Sequence, residues 1–125
     1  MTVRSLYIAV AVLVVAIAAT GCRPNDKGAV RLGRITVEVF EYGFKPNFIE
    51  AQPGRTTFTV KNVGDLAHNF ALERHGRLVG KTRTALKGTR TLTVKLETGH
   101  YTFHCTVPHH DDLGETGTLV VKGRE

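Results

Sequence analysis

The sequence predicts an all-β fold, a Greek-key antiparallel β-sandwich of about seven or eight strands. Three observations lead there. Apolar residues recur with period two in several short runs, glycine- and proline-containing turns separate those runs, and beyond residue 34 no stretch of comparable length has the 3.6-residue period of an amphipathic helix. Thirteen glycines and four prolines among 125 residues agree with many tight turns and speak against a helical bundle. The length suits one domain with a real core, and 42% hydrophobic against 22% charged residues excludes a disordered polyampholyte.

The first element is an address. Arg4 precedes an apolar run from Leu6 to Ala19, and these fourteen residues match a signal-peptide core better than a membrane span, which needs about 20. The run ends in Ala19-Thr20-Gly21-Cys22, which resembles the bacterial lipobox, with Ala19 where leucine is usual. That resemblance implies cleavage after residue 21 and a lipid on the Cys22 sulfur; the alternative is an uncleaved N-terminal anchor. Either places the remainder on the outer side of a bacterial membrane, periplasmic or at the cell surface. Nucleic acid is therefore not the expected partner, although the formal charge is +6; loss of residues 1–21 removes Arg4 alone and takes the charge from +6 to +5. Residues 22–34 follow as a tether, where Arg23, Lys27, Arg31 and Arg34 face a single acid, Asp26.

Residues 35–123 form the folded domain. Ile35, Val37 and Val39 alternate with polar neighbours; Phe58 and Val60 do the same, as do Leu92, Val94 and Leu96, and Thr118 to Val121 make a short apolar close. Turn signals fall at Gln52-Pro53-Gly54, Asn62-Val63-Gly64-Asp65, His75-Gly76, Lys87-Gly88 and Thr98-Gly99. Lys81 to Leu86 gives the weakest signal and suits a loop or one helical turn.

Chemistry concentrates near the C-terminus, where His100, His104, His109 and His110 surround Cys105 in "HYTFHCTVPHHDDLGETG". With Cys22 assigned to the tether, Cys105 has no intramolecular disulfide partner, and metal ligation explains an exported lone thiol. Strand alternation puts Tyr101, Phe103 and Cys105 on the core face and turns His104 outward. Pro108 stiffens a loop that returns His109 or His110 toward the sulfur, and Gly114 lets the chain turn into the last strand. One loop offers too few ligands for a transition metal, so a distant histidine must join. His68 is expected on the strand after a turn, with Asn69 beside it, whereas His75 sits in a hairpin turn as a surface residue.

The ordered set of His68-Asn69, "YTFHCTVPHH" and the earlier "FKPNFIEAQPGRTTFTVKNVG" resembles the cupredoxins, the blue-copper proteins such as plastocyanin and azurin, over Ile35 to Lys122. The resemblance implies one copper ion held by His68, the Cys105 thiolate and a loop histidine. Azurin-like spacing selects His110 and puts His109 in a glycine position; plastocyanin-like spacing favours His109. We take His110, with His109 as the alternative. It also implies that Asn69 hydrogen-bonds toward the cysteine sulfur and ties the two ligand loops together. The departure is axial. Where the family carries methionine in Gly-Met-x-Gly-Thr, this chain reads Gly114-Glu115-Thr116-Gly117-Thr118, and its one methionine is Met1. Glu115 as axial ligand, a harder and charged donor, favours Cu(II) over Cu(I) and lowers the reduction potential; the alternative leaves Glu115 in solvent.

Two function classes follow: a membrane-tethered, monomeric one-electron carrier that meets a redox partner with an acidic docking face, or a module for copper storage or delivery. A single mononuclear site without a nucleophile or acid–base pair argues against an enzyme.

Overall fold

The computed structural model describes residues 33–124; the leader, most of the tether and Cys22 lie outside them. The described residues form nine strands: β1 (Arg34–Phe40), β2 (Gly43–Lys45), β3 (Phe48–Ala51), β4 (Gly54–Asn62), β5 (Ala71–Arg74), β6 (Arg77–Lys81), β7 (Gly88–Leu96), β8 (Gly99–His104) and β9 (Thr116–Val121). They form a four-stranded sheet in the order β2-β1-β4-β7 and a five-stranded sheet in the order β3-β9-β8-β5-β6. Among the described residues no helix is long and apolar enough to cross a membrane.

This is the expected sandwich with two refinements. The sheets are mixed rather than wholly antiparallel, because β1 pairs with β4 and β3 with β9 in parallel. The strand count rises to nine because the segment after β1 breaks into the short β2 and β3 around Lys45-Pro46; proline has no N–H for a ladder. Lys81 ends β6, the next three residues are irregular, and Ala85 makes an isolated bridge to His68, so this stretch is a loop without a helical turn.

Alternation decides what each strand buries. Ile35, Val37 and Val39 of β1, Phe58 and Val60 of β4, Tyr101 and Phe103 of β8, and Leu119 and Val121 of β9 all face the space between the sheets. Four phenylalanines fill its centre. Phe44 and Phe58 come from one sheet, Phe103 comes from the other and Phe70 stands just before β5, with ring centroids 5.1 Å apart for both Phe58–Phe70 and Phe70–Phe103. Burying each such ring stabilises by roughly 1.5–3 kcal/mol. Gly117 of β9 is obligatory here, since a Cβ would run into the Phe103 ring and lie 2.6 Å from the Asn47 carbonyl oxygen. This aromatic floor supports one end of the sandwich, where β8 delivers Cys105 and β5 is preceded by His68.

Candidate metal centre

His68 is held by its backbone. Its N–H donates to the Ala85 carbonyl at 3.1 Å, and Ala85 N–H donates back at 3.0 Å. Asn62 anchors the loop before it: its Nδ2 donates to the carbonyls of Leu66 (2.8 Å) and Ala85 (2.8 Å), and its Oδ1 accepts from Gly64 N–H at 2.9 Å. Cys105 continues the inward face of β8 one residue beyond the strand. The chain from Cys105 to Glu115 is then closed on itself. Cys105 N–H donates to the Glu115 carbonyl at 3.2 Å, Glu115 N–H to that of His110 at 3.1 Å, and His110 N–H to that of Val107 at 3.1 Å. Gly114, at φ +107°, makes the last bend in a conformation that favours glycine.

These elements bring His68, Cys105, His110 and Glu115 into one buried cluster whose candidate ligand atoms all lie within 4.8 Å of one another. Glu115 Oε1 is 2.6 Å from His68 Nδ1 and Oε2 is 3.1 Å from His110 Nδ1. The two Nδ1 atoms are 3.2 Å apart, and Cys105 Sγ is 3.8 Å from His110 Nδ1. Glu115 is fully buried, so its carboxyl points inward and not to solvent. His109, at φ +68°, occupies the left-handed conformation expected of a glycine position, and its exposed ring lies 3.6 Å from Asp112. His104 faces outward onto Glu73 at 3.1 Å, and His75 lies exposed in the β5–β6 turn.

The donor set fits a copper ion. Two imidazoles and a thiolate are the equatorial ligands that copper accepts in both oxidation states. Both Glu115 oxygens are buried yet accept no well-formed hydrogen bond. Such an orphaned carboxylate is costly; with the His68 proton on Nε2, where a carboxylate accepts it, His68 Nδ1 presents a lone pair to it. Four candidate donor side chains converging in one buried cluster call for a cation.

That carboxylate belongs to Glu41, a residue sequence reasoning missed. Its Oε1 accepts from Leu66 N–H (2.6 Å), Asp65 N–H (2.9 Å) and His68 Nε2–H (2.8 Å). The Leu66 amide first, then the His68 ring, pull its pKa down to about 2. Asn69 differs from expectation in the atom that does the work. Its side chain links the two ligand loops, donating to Thr84 Oγ1 (2.9 Å) and Thr106 Oγ1 (2.8 Å) and accepting from Thr106 N–H (2.8 Å). Its backbone N–H, and that of Val107, serve the sulfur.

Burial pushes the Cys105 thiol up to about 11, against the help of those two amides and with the Glu115 carboxylate adding to the rise. Metal uptake must therefore displace a proton. Loading the domain with Cu(II) between pH 7 and 9 is expected to release one proton from Cys105, so that affinity rises about ten-fold per pH unit. Titration in weakly buffered solution measures this. In the metal-free domain the folded thiol keeps its proton where the unfolded one, near 9, has lost it. The folded state then binds more protons, so stability is complete below about pH 9 and falls as pH rises toward 11.

Comparison with known proteins follows the same lines. A family profile described as a cupredoxin-like domain matches residues 8–121. No curated protein sequence gives a significant match. Among solved structures, auracyanin from Roseiflexus castenholzii is similar at 18% identity, covering 73% of this chain and 98% of that one with a TM-score of 0.65. Rusticyanin from Thiobacillus ferrooxidans is similar at 16% identity, covering 74% and 79%, with a TM-score of 0.61. A purple cupredoxin from Nitrosopumilus maritimus is similar at 20% identity, covering 70% and 99%, with a TM-score of 0.55. At these identities the solved structures speak for the fold, while the profile spans nearly the whole chain, and the chain belongs to the cupredoxin-like family.

Proposed function

We propose that this protein is an exported one-electron carrier holding a single copper ion through His68, Cys105, His110 and Glu115. The observation that carries the reading is the convergence of these four buried donors at one end of a rigid sandwich. Members of the family are mainly electron carriers with one copper per domain. Bound copper would supply cycling between Cu(II) and Cu(I), and the protein's part is to keep the ligands still while the charge changes. The aromatic floor and the self-bonded loop from Cys105 to Glu115 do that.

Electron exit is assigned to His110. Its side chain keeps 11% of its surface open, whereas that of His68 keeps none. Exposed apolar residues surround this end: Leu113 on the ligand loop, Leu66 two residues before His68, Leu86 beside Ala85, and Tyr42, whose ring stands edge-on to His110 at 5.3 Å. Such a patch suits brief docking of a redox partner, and the +5 charge of the chain after leader removal suits an acidic face on it by steering. We assign residues 1–21 as leader, residues 22–34 as a tether lipidated at Cys22, and residues 35–123 as a monomeric domain without enzymatic activity.

The buried Glu115 carboxylate favours Cu(II), which keeps copper storage or delivery as a second reading. One measurement on the domain without its leader separates the two. Cu(II) should give an intense thiolate-to-copper visible band that ascorbate bleaches and air restores over many cycles. Loss of the metal on each reduction would favour delivery, and a still-titratable Cys105 thiol without any band would sink the copper site.

A further inference from the structure

Glu41 lies outside the four-donor cluster, yet its carboxylate touches one member of it. It leaves the end of β1, 27 residues before His68, and its Oε1 meets His68 Nε2 at 2.8 Å. The same oxygen is held by the amides of Asp65 and Leu66, so the carboxylate is fixed by the loop that precedes His68. Gly64 makes room for it: a Cβ there would press on both Glu41 oxygens, at 2.6 Å from Oε2. Backbone register explains the meeting. The parallel pairing of β1 with β4 aligns Val39 with Asn62, and two residues further on Glu41 stands beside Gly64.

We propose that Glu41 is a positioning residue for the copper centre, which holds His68 with its proton on Nε2 and Nδ1 free for the metal and biases the centre toward Cu(II) by its negative charge. A histidine that ligates through one ring nitrogen is oriented and made more basic when a carboxylate accepts from the other. The His68 ring is enclosed, so once the metal takes Nδ1 on the Glu115 side, 2.6 Å away, Glu41 is the acceptor left for the remaining ring N–H. The inference rests on the copper reading above.

Three variants of the leaderless domain test it. Glu41→Gln keeps an acceptor and removes the charge; Glu41→Ala removes both; Gly64→Ala leaves the charge in the molecule and displaces the carboxylate, at little expense to folding because a flexible side chain is what must move. Each is expected to retain the visible band and to bind Cu(II) about 10–100-fold more weakly, with the smaller loss in Glu41→Gln. Cu(I) binding should change less, so the reduction potential rises in all three, by about 59 mV for each ten-fold loss of Cu(II) preference. Nitrogen NMR of the reduced, diamagnetic form should find the His68 proton on Nε2. A wild-type potential and Cu(II)/Cu(I) affinity ratio in Glu41→Gln and Gly64→Ala would overturn the proposal, as would a proton on Nδ1. Failure of the wild-type chain itself to bind copper overturns the copper reading; a copper-loaded wild type with unaltered variants overturns the role of Glu41 alone.

Discussion

Replacing Cys105 with serine is expected to abolish the intense visible band and to weaken Cu(II) binding by more than the ~100-fold that losing an outer-sphere partner costs. The thiolate is the soft donor that separates a copper site of this kind from an ordinary oxygen and nitrogen site. Serine cannot replace it, since a hydroxyl stays protonated where even the thiol is pushed up to about 11. The fold should survive. Cys105 lies at the end of the aromatic core, and the loop it opens is closed by its backbone N–H on the Glu115 carbonyl, which the substitution leaves in place. The Asn69 and Val107 amides that serve the sulfur can serve the serine oxygen, and Cys105→Ala, which removes every donor atom there, is the companion variant. A thermal transition within a few degrees of wild type in the metal-free state, with no band on copper addition, is the expected pair of results. A persisting band in both variants would remove Cys105 from the centre.

Glu115→Met should retain the band, shift it, and raise the reduction potential on the order of 100 mV, since a unit charge about 4 Å away at an effective dielectric of 20 is worth about 4 kcal/mol before screening. The carboxylate is fully buried between His68 and His110, so its charge is poorly screened there. Its preference for Cu(II) disappears when a neutral thioether takes its place. Glu115→Gln separates charge from coordination: it keeps the shape, removes the charge and should recover part of the rise. Voltammetry of the three proteins checks the order, wild type lowest and methionine highest. An unchanged potential in both variants would mean that Glu115 does not sense the redox state of the centre.

The fold was largely legible because alternation reports burial directly. Ile35, Val37 and Val39 or Tyr101 and Phe103 announce an inner face wherever the strand is paired. Pairing direction is another matter. Period two is the same in parallel and antiparallel ladders, so nothing in β1 or β9 signals that each has a parallel neighbour. The same blindness hid Glu41. Cys105 and a histidine of its loop could be read together because they share one short segment, and His68 because a metal needs another ligand; His110 over His109, and Glu115 as axial donor, came from the cupredoxin resemblance. Glu41 reaches His68 only through the β1–β4 register, and a single acid at a strand end carries no local signal. Had the parallel pairing been known, counting from Val39 and Asn62 would have set Glu41 beside Gly64. Asn69 illustrates a finer limit. Its link between the two loops was implied by the cupredoxin resemblance, but whether the side chain or the amide faces the sulfur depends on where Thr84 and Thr106 come to rest.

The closed stretch from Cys105 to Glu115 carries three of the four donors and satisfies much of its own backbone. Its two ends sit in neighbouring antiparallel strands, His104 opposite Thr116, so the sheet holds the segment like a cartridge in a breech. The centre is consequently exchangeable as a unit. A segment of different length or axial residue, spliced between those two positions, would give the same scaffold another colour and another potential while the β1–β4 side, with Glu41 and His68, stayed as it is.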